Sequence, residues 1–235
     1  MVIKGKRGYV NNYGATPGAG SGNGKTVSVI DLEKNKVIGN AIEVGLAPAA
    51  ITITPCCKYI YTANYVDGNP NTGTLTKINT CNNKVIGEIG PGFSGPFAIT
   101  ISPNGKRAYV TNFGSNNFEP FGTTVGIVNL ESNKIERTIQ LGIQPSGLDI
   151  TPDGKYICVS NYNTLYAYVQ KDPVEYLNLT PGQGTVNIID IKKNAVVDTI
   201  EVGQSPSYVA ISPNGKYVYV TNYTSNTMNI IRLYL

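Results

Sequence analysis

Ile101-Ser102-Pro103-Asn104-Gly105-Lys106-Arg107-Ala108-Tyr109-Val110-Thr111-Asn112 holds the plan of the whole chain, and it returns almost unchanged as Ile211-Ser212-Pro213-Asn214-Gly215-Lys216-Tyr217-Val218-Tyr219-Val220-Thr221-Asn222. Proline cannot donate to a sheet ladder, so Pro103 closes the short strand that Pro96 opened. Asn104-Gly105 predicts a tight hairpin turn with positive φ at both centres. Tyr109 to Asn112 is then the next strand, ending in Asn and the ring of Phe113.

The same ending occurs as Tyr9-Val10-Asn11-Asn12-Tyr13, Tyr61-Thr62-Ala63-Asn64-Tyr65, Cys158-Val159-Ser160-Asn161-Tyr162 and Tyr219-Val220-Thr221-Asn222-Tyr223. From Asn12 through Asn64, Asn112 and Asn161 to Asn222 the steps are 52, 48, 49 and 61 residues, so one small unit has been stacked repeatedly. Pro-bracketed strands precede the later copies at Pro48–Pro55, Pro96–Pro103, Pro145–Pro152 and Pro206–Pro213. A third strand is expected over residues 27–32, 75–80, 125–130, 186–191 and 228–233, and a fourth over 36–44, 84–89, 134–141 and 195–202. Four short antiparallel strands per unit is the arithmetic of a propeller blade. The reading is an all-β chain forming one β-propeller domain, 1–235, of about five four-stranded blades at approximately 1–44, 45–92, 93–142, 143–203 and 204–235. No Pro-bracketed strand precedes the first copy and no fourth strand follows the last, so both end blades read as incomplete.

These motifs resemble the YVTN β-propeller repeat family over nearly all of residues 6–233, most closely at Ile101–Asn112, Ile211–Asn222 and Val27-Ser-Val-Ile-Asp31. The resemblance implies a surface-layer-like repeat protein, and with it an extracellular or cell-surface setting. Sugar-lactone and quinoprotein enzymes are its more distant relatives, so it implies little about chemistry.

Composition narrows the function. With 41% hydrophobic and 14% charged residues the chain is neither a disordered polyampholyte nor a membrane-spanning one. Met1 to Lys6 leads straight into the first repeat, so no signal peptide is visible. The net charge of +4 is spread over turn lysines such as Lys58, Lys106, Lys155 and Lys216, which argues against a nucleic-acid stripe. With no His and no Trp, the commonest base and metal ligand and tryptophan-derived quinones are missing. No cofactor and no metal are expected, and the reading is more binding module than enzyme.

Candidate contact residues follow from departures within the repeat. Loops between second and third strands vary most and fall on one face, the default contact surface. They carry Phe118, Phe121, Tyr166, Tyr168 and Tyr176, rings able to stack on sugars or anchor a protein partner, or else to pack the loops down. Asp149 is the one charge within the Pro-bracketed strands. It reads as a ligand contact or general base of a lactonase-like hydrolase, or as a carboxylate bonded to backbone amides of a neighbouring blade. Cys56-Cys57 replaces Asn-Gly in one turn and Cys81 lies in the adjacent turn of the same blade, so Cys81 could pair with Cys57 or with Cys56; Cys57 and Cys81 are the candidate disulfide, with a rarer vicinal Cys56-Cys57 bond and reduced thiols the alternatives. Ala19 to Thr26 has a loosened phosphate-loop spelling, but Thr26 opens a strand, and Asp67, Asn69 and Asn71 alternate as calcium ligands do without the closing acid. Both read as connector and turn chemistry. Partners are expected to be protein or glycan, with self-association through terminal strand edges a further alternative.

Overall fold

A computed structural model describes residues 1–14, 24–65, 71–114, 121–163 and 182–234, together with the backbone of 166–169 and 175–178. Among these residues every regular element is a β-strand. The first sheet joins β1 (Val2–Lys4), β2 (Arg7–Asn12), β3 (Thr26–Asp31), β4 (Lys36–Val37) and β5 (Ile42–Glu43), the last two both pairing with β3. The second is β6 (Pro48–Ile53), β7 (Tyr59–Asn64), β8 (Gly73–Asn79) and β9 (Lys84–Phe93), in that order. The third is β10 (Pro96–Ile101), β11 (Arg107–Gly114), β12 (Phe121–Asn129) and β13 (Lys134–Gln140). The fourth begins with β14 (Pro145–Ile150) and β15 (Tyr156–Asn161). Its chain then makes a separate hairpin of β16 (Tyr166–Val169) and β17 (Glu175–Asn178), and returns as β18 (Gly184–Asp190) and β19 (Ala195–Val202). The fifth is β20 (Pro206–Ile211), β21 (Tyr217–Asn222) and β22 (Thr227–Arg232).

Two compact units result: Met1–Val110 with Gly126–Arg137, and Thr111–Val125 with Thr138–Leu235. Within each, apolar residues fill the space between successive sheets. Residues of a strand alternate between the two faces of the sheet. On β7 this sends Ile60 to a cluster with Tyr9, Val27, Val29 and Ile78, and Tyr61 and Ala63 to another with Leu75, Phe93, Ile101 and Val110. In the second unit Cys158, Val186, Ile188, Val202, Val218, Val220 and Leu233 form the equivalent cluster. Each fully buried Val, Leu or Ile side chain contributes about 1.5–3 kcal/mol.

The Asn of the repeat explains itself. Asn64 Nδ2 donates to Thr74 Oγ1 (3.0 Å) and Thr76 Oγ1 (2.9 Å), and Asn161 Nδ2 to Thr185 Oγ1 (2.9 Å) and Asn187 Oδ1 (2.7 Å). Asn222 repeats this with Thr227 and Asn229. A side chain with two donors therefore ties the end of the second strand to the start of the third. The incoming fourth strand ends in Gly because the chain passes over that Asn: a Cβ at Gly142 would lie 2.8 Å from Asn161 Cγ, and one at Gly203 2.6 Å from Asn222 Cγ.

Three details depart from the sequence reading. First, the first sheet does have a leading strand: Val2, Ile3 and Lys4 pair with Tyr9, Gly8 and Arg7, a strand too short to stand out without bracketing prolines. Second, the loop after Tyr162 contains the β16–β17 hairpin, in which Tyr166 stands opposite Asn178 and Tyr168 opposite Tyr176. Third, the hairpin turns are not of the two-centre positive-φ kind. Gly105, Gly154 and Gly215 take φ of +71°, whereas Asn104, Asp153 and Asn214 do not turn positive. The preceding Pro fixes φ near −65° and selects a type I turn, after which one left-handed residue closes the hairpin.

Candidate functional site

Each unit presents a groove built from matched positions of the repeat. In the first unit, Thr54, Pro55, Cys56, Tyr59, Asn104, Gly105, Lys106, Leu130 and Glu131 belong to it, with Tyr61 and Lys77, and its volume is about 550 Å³. In the second, Thr151, Pro152, Asp153, Tyr156, Asn214, Gly215, Lys216, Leu233 and Tyr234 occupy the same repeat positions, with Pro213 and Arg232, in about 390 Å³. The hairpin turn of one sheet and that of the next form its walls, and the first ring of the second strand, Tyr59 or Tyr156, lies half-buried in it.

The turns are held rigidly from within. Ser102 Oγ accepts from Arg107 N–H (3.0 Å) and donates to Asn104 Oδ1 (2.7 Å), which also accepts from Lys106 N–H (3.0 Å). Thr151 and Asp153 repeat the scheme, the hydroxyl donating to Asp153 Oδ1 at 2.6 Å. These bonds, led by that from Thr151, hold the Asp153 carboxyl below its ordinary pKa. In the β6–β7 turn the matching place is held by sulfur, with Cys56 Sγ 3.4 Å from Thr54 Oγ1. That contact, then the Lys58 amide, pulls the Cys56 thiol below its usual value.

Cations complete both grooves. Lys77 Nζ lies 4.5 Å from the centre of the Tyr59 ring and 5.6 Å from that of Tyr61, and Lys58 Nζ is 5.4 Å from Tyr59. In the second unit the Arg232 guanidinium is 5.0 Å from the Tyr234 ring. A cation over an aromatic face is attracted by the ring quadrupole and stays where a ligand can reach it. Among the lining residues each groove offers an apolar floor and two positive groups against one acid: Lys77 and Lys106 with Glu131, and Lys216 and Arg232 with Asp153. It suits a ligand that brings flat or apolar surface and carboxylate or hydroxyl oxygens.

Asp149 sits elsewhere, on β14. Its Oδ1 accepts from Ile150 N–H and its Oδ2 from Ile211 N–H, both at 2.8 Å, so it bonds β14 to β20. Burial pushes its carboxyl above the ordinary value, and those two amides pull the other way. Ser146 Oγ, on the same strand, reaches Pro206 O at 2.7 Å. Of the loop aromatics, Phe121 starts β12 and is half-buried. Phe118 lies outside the described residues, as do the Gly20–Asn23 part of the glycine-rich connector and Asp67 and Asn69; for Tyr166, Tyr168 and Tyr176 the described part is backbone. Of the rings after the repeated Asn, Tyr65 meets Phe97 edge-on at 6.4 Å and Phe113 meets Tyr162 at 6.0 Å, whereas Tyr223 is exposed.

Cys57 and Cys81, like Cys56 and Cys158, are free thiols. Burial pushes the Cys158 thiol up to about 12. Among the described residues no cluster of three His, Cys, Asp or Glu side chains could hold a metal ion. No helix among them is long and apolar enough to cross a membrane. The grooves lie at strand ends that sequence reading did not single out. The signal was there in the Tyr directly after Lys58 or Lys155 and in the recurrent turn lysines, which were legible only as turn chemistry.

No family model matches the chain. It is similar to antigen Lp49 of Leptospira interrogans serogroup Icterohaemorrhagiae serovar copenhageni (strain Fiocruz L1-130), with 25% identity over 112 residues, 46% of this chain and 23% of that protein. Among solved structures, the β-propeller domain of Myceliophteria thermophila Cps50 (Swd1) matches with a TM-score of 0.63 at 12% identity, over 90% of this chain and 60% of that one. A functionally unknown protein from Desulfotomaculum acetoxidans DSM 771 matches with a TM-score of 0.58 at 20% identity, over 88% and 62%. The chain thus spans less than two thirds of each of these proteins. Its fold class is the all-β propeller class.

Proposed function

We propose that this chain is a non-enzymatic binding or surface-structural module that contacts protein or glycan. The observation that carries the reading is the recurrence, in both units, of one groove with a tyrosine floor and a cationic rim. Rings supply contact area at low entropy cost, and rim cations select a partner with carboxylates or many hydroxyls. The likeness to antigen Lp49 and the resemblance to YVTN repeat proteins of surface layers support a surface setting. The divergent loops between second and third strands, whose sequence carries Phe118, Phe121, Tyr166, Tyr168 and Tyr176, are the competing contact surface.

The test is retention on acidic-glycan arrays and in acidic-peptide pull-downs, comparing wild type with a Lys106→Glu/Lys216→Glu double variant. Wild type binds, and the double variant binds roughly tenfold more weakly, as two rim charges of about 1 kcal/mol or less each would give. Retention unchanged in the double variant but lost in Phe121→Ser moves the contact to the loop side. A folded wild type that retains nothing on either surface defeats the proposal.

A second reading, self-association, is favoured by the fifth sheet. Met228 and Ile230 of β22 are 54% and 58% exposed, while the matched Val186 and Ile188 of β18 are 0% and 4% exposed. An apolar strand at a sheet edge pairs readily with another chain. Concentration-dependent light scattering tests this: growth in mass that Ile230→Lys abolishes supports it, and a strict monomer at high concentration excludes it.

A further inference from the structure

In the four hairpin turns that join first to second strands from β6 onward, the closing residue is left-handed. Three use Gly at φ +71°; the β6–β7 turn uses Cys57 at φ +54°. A residue with a Cβ is strained there, and such strain at one copy of a repeat points from backbone to function. The neighbouring Cys56 takes the Asn/Asp place by its contact with Thr54, and within the turn the Cys57 thiol makes only a long contact, its Sγ donating to Pro55 O at 3.8 Å.

Carried outward beyond its last pair, the register of the β7–β8 ladder sets Cys57 against Cys81. The β7–β8 ladder ends in the pair Tyr59 and Asn79, and continues as Thr80 N–H donates to Lys58 O at 3.1 Å. The next residues outward are Cys57 and Cys81. Thr80 Oγ1 fastens the two turns to each other, 2.7 Å from Cys57 O and 3.0 Å from Lys58 O, and accepts from Lys4 Nζ at 2.8 Å. If that register carries on for two more residues, the Cα atoms of Cys57 and Cys81 stand about 4.5–5.5 Å apart as in any antiparallel pair, inside the roughly 4.4–6.8 Å that disulfides need. Cys81 is exposed and Cys57 half-buried, so a small reagent reaches both. In the fourth sheet the matched positions are Gly154 and Lys192, so the pairing of thiols belongs to this copy alone among the two sheets.

We propose that Cys57 and Cys81 are a modification site: a dithiol that closes to a disulfide by exchange with a small external disulfide of the glutathione type. One thiolate attacks a sulfur of the external disulfide and expels one small thiolate. The second protein thiolate then attacks the mixed disulfide at the protein sulfur and expels the other. Two protein thiols become one S–S bond, the external disulfide takes up the two electrons, and the two protons leave with the small thiols. The bond bridges two turns at one end of the second sheet, beside the groove that Cys56 lines.

The test equilibrates folded protein with reduced and oxidised glutathione in graded ratios, blocks free thiols by alkylation and maps peptides by mass spectrometry. The expected product is two hydrogens lighter, with a Cys57–Cys81 cross-link and with Cys56 and Cys158 alkylated. Cys56→Ser keeps the cross-link; Cys81→Ser and Cys57→Gly lose it, the latter carrying the residue that its sister turns use and so remaining foldable. A cross-link through Cys56, a cross-link that survives Cys57→Gly, or alkylation of all 4 cysteines at every glutathione ratio overturns the proposal.

Discussion

The second and fourth sheets run through the same turns and the same Asn ties, yet they differ at matched places: Thr52 against Asp149, Tyr61 against Cys158, Thr62 against Val159 and Cys57 against Gly154. The first two differences are coupled. Thr52 faces Tyr61 across β6 and β7, and Asp149 faces Cys158 across β14 and β15. A small hydroxyl opposes a large ring in one sheet, and a carboxylate opposes a small thiol in the other. Burial pushes both Tyr61 and Cys158 up to about 12, so neither ionises near neutral pH and both serve as packing. What the pair of sheets teaches is that the repeat fixes the backbone bonding and lets neighbouring side chains exchange size and polarity jointly.

The largest effect is expected at Asp149. Replacing it by Ala leaves the Ile150 and Ile211 amides without their acceptor, a loss of about 3 kcal/mol for two charge-assisted bonds in a half-buried place. Thr52→Ala, at the matched position, should cost under about 1 kcal/mol. Urea unfolding of both variants checks the contrast, and equal losses would end the claim that Asp149 is the tie. The pH dependence has a definite sign. The folded-state pKa is raised, so between the unfolded and folded values the native state holds more protons, and stability falls as pH rises through that window. Asp153, with its pKa lowered, contributes in the opposite sense: its small support is present at neutral pH and is lost as pH falls through the folded value. Subtracting the pH–stability profile of Asp149→Asn from that of wild type should leave a falling curve.

Next in size is the glycine that passes over the Asn. A Cβ at Gly142 meets Asn161 Cγ at 2.8 Å, and Asn161 is fully buried and doubly bonded, so it cannot move aside. Gly142→Ala should cost about 2 kcal/mol by overpacking. Gly87, on β9, has open space around its Cβ position, and Gly87→Ala should be neutral or stabilising by about 0.5 kcal/mol. Thermal melts of the two variants decide the matter, since equal shifts would mean that backbone entropy and not crowding sets the effect.

Legibility in the sequence followed the same divide. Strand limits were readable where proline, Asn-Gly and the repeated Asn mark them, because each acts locally on the backbone. The amide bonds to Asp149 were among the sequence expectations, because a charge placed in an inner strand must find donors. The β1 strand was not readable, since three residues held by pairing with β2 carry no local mark. Nor was the turn type, which Pro103 decides against the preference of Asn104-Gly105. The grooves stayed hidden because they join turns of successive sheets, and only packing brings Tyr59 next to Lys77 or lines up Lys106 with Cys56.

A smaller effect separates Thr62 from Val159. Thr62 Oγ1 donates to Asn64 Oδ1 at 3.0 Å, whereas Asn161 Oδ1 is buried and finds no donor among the described residues, and Asn112 and Asn222 share that condition behind Val110 and Val220. Thr62→Val should therefore destabilise by about 1.5 kcal/mol, and Val159→Thr, nearly isosteric, should stabilise by about 1 kcal/mol. Both are read in denaturant midpoints. A Val159→Thr variant weaker than wild type would show that the missing bond at Asn161 is not the quantity that distinguishes the sheets.

The smallest expected effect is the strain at Cys57 itself, measured in fully reduced protein so that no cross-link contributes. Cys57 keeps the turn bond of its sisters, its N–H donating to Thr54 O at 2.7 Å as Gly154 N–H donates to Thr151 O at 2.8 Å. The turn is thus formed equally well in both sheets, and the difference at this position is a Cβ in left-handed backbone whose thiol makes a long contact to Pro55 O. Cys57→Gly removes that strain but frees the unfolded chain, two terms of about 1 kcal/mol and opposite sign. Gly154→Cys reverses both. Net shifts should be below about 1 kcal/mol, opposite in sign and equal in size. If Cys57→Gly were strongly destabilising under reduction, the Cys57 side chain would have a packing role in the reduced fold, and its presence in place of glycine would need no redox partner to explain it.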